Sequence, residues 1–335
     1  MVNSVVGLSI AARYLCRRFA VPVAVGAVTM TPAAAVAAPG AAAPLVIATI
    51  PVGIAPLGVA TNPVTNTAYV ANVGADTVSA ISGRTNKVTA TIPVGSAPHD
   101  VATNSVTNTA YVTNVLGNTV SVINGRTQRV TATVPVGTNP VGVATNPVTN
   151  TVYVTNDGNG TVSVISGKTN KVTATITVGT EPSGVTTNPV TNTTYVTNVS
   201  SGTVSVISGR TDTVTATIPV GTEPFELGTN PVTNTTYVTN DGNGTVSVIS
   251  GKTDTVTATI PVGTEPFGVT TNPVTNTAYV ANFGSGTVSV ISGKTDTVTA
   301  TITVGTEPFG VTTNPVTNTA YVTNDGSDTV SVISG

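Results

Sequence analysis

The chain has 335 residues, with charged side chains at 8%, one His, one Cys and no Trp. An ordinary soluble domain carries about 25% charged residues, so chemistry built on several acids, histidines or thiolates has little to draw on. The net charge of −2 argues against bulk nucleic-acid binding.

Residues 1–37 form a compositional unit. Arg13, Arg17 and Arg18 precede an Ala/Val-rich run from Phe19 to Ala38, and Ala35-Val36-Ala37 closes it with small residues. Basic, apolar and small in that order is the layout of a secretory signal peptide, cut near Ala37. A retained membrane anchor is the alternative, although Pro22 and Pro32 interrupt the run. Arg17-Arg18-Phe19 matches a twin-arginine signal only weakly. Cys16 lies inside this leader, so the cut chain has no disulfide, thiolate or Cys-ligated metal. Residues 38–44 read as a short linker. No membrane span is expected after the signal is removed.

From residue 45 onward the chain repeats every 42 residues without an insertion, marked by Tyr69, Tyr111, Tyr153, Tyr195, Tyr237, Tyr279 and Tyr321. A fixed period of this size signals stacked repeat units. Each unit reads as four strands. In the third unit these are 142–145, 151–155, 161–165 and 172–176. They are separated by an Asn-Pro turn at 146–150, the Asp-Gly-Asn-Gly turn at 157–160 and the Ser-Gly-Lys-Thr-Asn turn at 166–170. Residues 178–182 then cross to the next unit. Four antiparallel strands per 42 residues predict a propeller blade, with a β-solenoid as the rival. Val46-Ile47-Ala48-Thr49-Ile50 matches a fourth strand, and the chain ends after a third strand, 329–334. The expected fold is therefore an all-β, seven-bladed propeller over 45–335, closed by an N-terminal strand at 46–50 that completes the last blade.

The unit Tyr-Val-Thr-Asn stands at 111–114, 153–156, 195–198, 237–240 and 321–324, with Tyr-Val-Ala-Asn at 69–72 and 279–282. With the following Val-Ser-Val-Ile and the closing Val-Gly, the chain resembles the YVTN family of β-propeller repeats over 45–335. The resemblance implies an exported or cell-surface protein of bacteria or archaea, including surface-layer components. It also implies structural kinship with lactonase-like, haem d1 and quinoprotein propellers. It carries no reaction across.

Alternating strand directions sort the turns onto two faces. The crossovers and the turns after the Tyr strand fall on a first face. The Asn-Pro turns and the Gly-Lys/Arg turns fall on a second. The second face holds a basic ring at Arg84, Arg126, Lys168, Arg210, Lys252 and Lys294, with Lys87, Arg129 and Lys171 beside three of them and Asp212, Asp254 and Asp296 beside the others. The first face holds the acids. Such a two-faced ring either keeps the surface soluble or orients on a charged polymer or partner.

Departures between the repeats mark the candidate site. The residue opening each inner strand is Gly in five blades but Asp100 in the second and Glu226 in the fifth, and His99 precedes Asp100. Blades two and five are three steps apart in seven, which places the two acids across the channel mouth from one another. They are candidates for binding a cation or for acid–base work. Two carboxylates and one imidazole fall short of a calcium shell, and one His is too few for a zinc site, so no metal is assigned. Asp-Gly-Asn-Gly at 157–160 and 241–244 lacks the distal Glu of a calcium loop and reads as a hairpin turn. No Ser-His-acid set appears, so no catalytic residue is assigned. No cofactor is expected. The sequence thus points to an exported, non-enzymatic, monomeric propeller that binds an unidentified protein or envelope polymer, with nucleic acid disfavoured. The alternatives are a lactonase-like or other hydrolytic propeller using the channel mouth, and a propeller that holds an anionic polymer on its basic ring.

Overall fold

A computed structural model describes residues 43–335, so the expected signal peptide lies outside the described residues. These residues form seven four-stranded antiparallel sheets, one per repeat. The first blade runs outward through Pro56–Asn62, Thr67–Asn72, Thr77–Ser82 and Lys87–Pro93. The last consists of Pro308–Asn314, Thr319–Asn324 and Thr329–Ser334, completed by Val46–Pro51. That strand pairs antiparallel with Thr329–Ser334, so the ring is closed by the two ends of the chain, as expected. Among the described residues no helix is long and apolar enough to cross a membrane.

The core lies between blades rather than within them. The first interface gathers Tyr69, Val78 and Ile92 of blade 1 with Val101, Val112 and Ile123 of blade 2. The joint between the last and first blades has the same make-up, with Ile50, Tyr321 and Val330 against Val59, Val70 and Ile81. The alternating β-branched residues of each strand serve both neighbours, which is why small Val, Ala and Thr dominate.

Polar residues tie the blades together at three levels. At the second face, the Asn ending each inner strand donates to an Asn in the next blade, from Asn62 to Asn108 round to Asn314 and Asn66, at 2.7–2.9 Å. Near the first face, Thr113, Thr155, Thr197, Thr239 and Thr323 each donate to a carbonyl of the neighbouring inner strand at 2.5–2.7 Å. Ala71 and Ala281 stand at this position in the other two blades. At the first face itself, the Asn that ends each Tyr strand accepts from a crossover Gly N–H and donates to a Ser of the third strand; Asn72 does so with Gly53 and Ser79. The Tyr-Val-Thr-Asn unit is therefore a structural cassette: core ring, core branch, inter-blade clasp and crossover pin.

Each inner strand starts at a Pro two residues earlier than the sequence suggests, because Pro140 still pairs with Asn156 across a bulge. Proline is tolerated at a strand's first residue. The bulge aims two successive side chains inward, and these form the candidate site.

Candidate functional site

The first inward position of the bulge is Leu57, His99, Val141, Ser183, Phe225, Phe267 or Phe309, and every one is buried. Leu57, Phe225, Phe267 and Phe309 cluster at the centre of the ring. Phe225, Phe267 and Phe309 lie 4.7–5.8 Å apart between ring centroids, and His99 meets Phe309 edge-on at 5.8 Å. Val199 packs on this cluster, with Val73 and Phe283 at its edge. The result is an apolar plug that stops the channel at the first face.

Above the plug, towards the second face, a cavity of 380 Å³ follows the inner strands from Gly58 up to Pro63, Pro273 and Pro315. It is a blind well. The sequence places Asp100 and Glu226 at a solvated mouth; the structure places both at the closed floor, against the plug. The bulge causes this, because it turns the second inward residue down beside the first.

Crowding explains the glycines at the same level. A Cβ at Gly184 would stand 2.6 Å from the Phe225 carbonyl oxygen, and one at Gly58 would stand 2.8 Å from that of His99. Asp100 and Glu226 are thus admitted into a tight position. The Asp100 carboxylate is braced: Oδ1 accepts from Val101 N–H at 2.8 Å and Oδ2 from Val143 N–H at 2.9 Å. Its own N–H donates to Thr113 Oγ1.

The electrostatics follow from the closed floor. Burial pushes the Asp100 carboxyl up to about 7, although the N–H groups of Val143 and Val101 pull the other way. Burial, then the charge of Asp100, raise Glu226 well above the usual carboxylate range. That mutual repulsion places the two acids within electrostatic reach across the well. Burial lowers His99 to about 4, with the Val141 carbonyl opposing weakly. The imidazole is therefore neutral at pH 7. Its residue is 3% exposed, and neither ring nitrogen has a well-formed hydrogen bond.

The well's upper wall is a ring of threonines. Thr61, Thr103, Thr145, Thr187, Thr271 and Thr313 each donate to the carbonyl of the preceding blade's inner strand at 2.6–2.8 Å. Thr229 shares its hydroxyl with Thr236 instead. No sequence signal singles out these threonines, because Thr is common throughout the repeats.

The basic ring lies apart from the well. Arg84, Arg126, Lys168, Arg210, Lys252 and Lys294 are all exposed on the outer turns of the second face. Its charge is not evenly spread. Blades 1–3 carry two bases per turn, whereas Asp212, Asp254 and Asp296 offset the single base of blades 4–6. The net positive charge is a crescent of +6 over three blades. The three aspartates also approach the buried Tyr153, Tyr195 and Tyr237 of the preceding blades, and with burial they drive the latter two hydroxyls up to about 12. Inside the basic turns stands a second ring: Val64, Val106, Val148, Val190, Val232, Val274 and Val316, each 75–76% exposed at the tip of the turn after its inner strand.

Among the described residues no three His, Cys, Asp or Glu side chains stand close enough to hold a metal ion. No protein-family model and no curated protein matches the chain. Solved structures do: the chain is similar to hydrazine synthase from Kuenenia stuttgartiensis at 21% identity and a TM-score of 0.75, over 84% of this chain and 96% of that one. At that identity the likeness is one of fold.

Proposed function

We propose that the chain is an exported propeller of the YVTN-repeat type that serves as a non-catalytic binding protein at the cell envelope, with its second face as the binding surface. The carrying observation is the pairing on that face of the exposed valine ring with the +6 crescent of blades 1–3. A one-sided positive field steers an acidic partner and weakens with salt, and the valines add apolar contact at the centre. The motif residues support a scaffold role, since Tyr, Thr and Asn of each unit are engaged in packing and inter-blade bonds. An acidic envelope polymer fits the crescent.

The test is retention on an immobilised acidic polysaccharide such as alginate. The parent chain is expected to bind at low salt and to elute within a few hundred millimolar. The triple reversal Arg84→Glu, Arg126→Glu and Lys168→Glu is expected to flow through. Equal retention of both, or retention indifferent to salt, refutes the assignment. Export has its own check: the N-terminus of envelope-associated protein should lie just beyond Ala37.

A second reading, hydrolysis at the channel floor, draws on the two carboxylates shifted towards neutral pH, the condition of a general acid or base. Lactone turnover lost in Asp100→Gly would favour it over the binding role.

A further inference from the structure

We infer that the blind well is a binding site for a linear aliphatic di- or polyamine, whose lower ammonium sits between Asp100 and Glu226 and whose chain runs up towards the threonine ring. This site is separate from the second-face surface and does not depend on that reading.

The geometry restricts the ligand by what the well offers. Its floor offers hydrogen-bond acceptors against an apolar plug. Asp100 and Glu226 supply carboxylate oxygens, and the buried His99, whose ring nitrogens make no well-formed hydrogen bond, borders the same cavity. The imidazole is neutral, so one of its nitrogens is an acceptor. The backbone donors nearest the floor, Val101 N–H and Val143 N–H, are already occupied by Asp100. The threonines above are alike in this respect. Six hydroxyl hydrogens are committed to strand carbonyls, which leaves oxygen lone pairs to face the lumen. An anion arriving here meets two acids. A donor-rich cation finds acceptors at two heights.

Those heights set the ligand's form. The floor acids and the threonine ring are three residues apart along the inner strands, or about 10 Å. Between them Ala60, Ala102, Thr186, Thr270 and Thr312, all partly exposed, border the cavity. An ammonium at each end of a short methylene chain matches charge with acceptor and methylene with these methyl groups. The confined floor adds strength, since an ion pair gains more there than in open solvent.

Ionisation gives the site a second signature. Among the described residues lining the well, His99, Asp100 and Glu226 are the ionisable ones. The empty floor holds protons on its carboxylates near neutral pH, and an arriving ammonium displaces them. Binding therefore releases protons and tightens as pH rises from 6 to 8.

The experiment is calorimetric titration of the full chain with 1,4-diaminobutane, spermidine and, separately, Ca²⁺, in two buffers of different ionisation heat. The variants are Asp100→Gly/Glu226→Gly, which installs the residue the other five blades carry, and Asp100→Asn/Glu226→Gln, which keeps shape and removes charge. Amine binding with proton release is expected in the parent, at least tenfold weaker in both variants, with melting temperatures showing that both are folded. No amine binding at millimolar concentration overturns the inference. So does undiminished binding in a folded variant, or binding of Ca²⁺ in place of amine.

Discussion

The asparagine that ends each Tyr strand shows how much one side chain can fix. Asn240, itself with no exposure to solvent, accepts from Gly221 N–H at 3.1 Å and donates to Thr245 Oγ1 and to the buried Ser247 Oγ. Asn240→Ala strands a half-buried N–H and a buried hydroxyl together, and should cost about 2 kcal/mol in chemical denaturation. The crossover beside it holds an opposite case. Glu223 has φ of 50°, a left-handed conformation costly for a branched or long side chain, while blade 3 uses Asn139 at the same place. Glu223→Asn should therefore gain about 1 kcal/mol in the same assay. The floor residues set the response to pH. Asp100 rises from 3.8 unfolded to about 7 folded, so the folded ring holds the extra proton and loses stability as pH climbs through that window. His99 falls from 6.5 to about 4, so its contribution has the reverse sign and grows with pH between those values. In Asp100→Gly/Glu226→Gly the floor keeps only the second slope, so between about pH 4 and 6.5 the variant's melting temperature should rise relative to the parent's. At this scale Asp100, Glu226 and His99 were legible because they break a repeat. Their environment was not, because a bulge that turns two neighbours inward leaves no mark in an alternating pattern.

At the level of strands the repeat pattern was readable almost to the residue. Turns rich in Asn, Asp and Gly occupy the left-handed positions they favour, and Val46–Pro51 lies where the fourth-strand match put it. All four strands ran longer than expected, the inner one most, since Pro140 still pairs with Asn156. The inter-blade clasp offers a test of strand-to-strand energetics. Thr239 Oγ1 donates to the Phe267 carbonyl, while Ala71 and Ala281 leave blades 1 and 6 without the bond. Ala71→Thr should restore it towards the His99 carbonyl and stabilise the ring by about 1 kcal/mol, read from the denaturation midpoint. An unchanged midpoint would mean that the inner strands of blades 1 and 2 are spaced differently from the rest. The threonine ring of the well was hidden by its own commonness: Thr recurs in strands throughout every blade, so composition cannot say which hydroxyls face a lumen.

For the whole molecule, closure is the decisive event. Val46–Pro51 supplies an entire outer strand to the last blade and Ile50 to the joint with the first. Deleting residues 45–51 exposes the edge of Thr329–Ser334 and opens that interface. A drop of roughly 10 °C in the melting temperature of the full ring is expected, corresponding to a few kcal/mol at this size. The closing contact joins Leu45 to Ser334, 289 residues apart. Yet Val-Ile-Ala-Thr-Ile-Pro at 46–51 differs little from Thr-Val-Thr-Ala-Thr-Ile-Pro at 213–219 or 255–261, and the third strands they pair with are nearly the same in every blade. Each outer strand of the ring, such as Lys87–Pro93 on Thr77–Ser82, occupies a third strand that Val46–Pro51 would also fit, and Thr329–Ser334 is the one left to it. The likeness that closes the ring therefore makes correct closure depend on every other outer strand being in place.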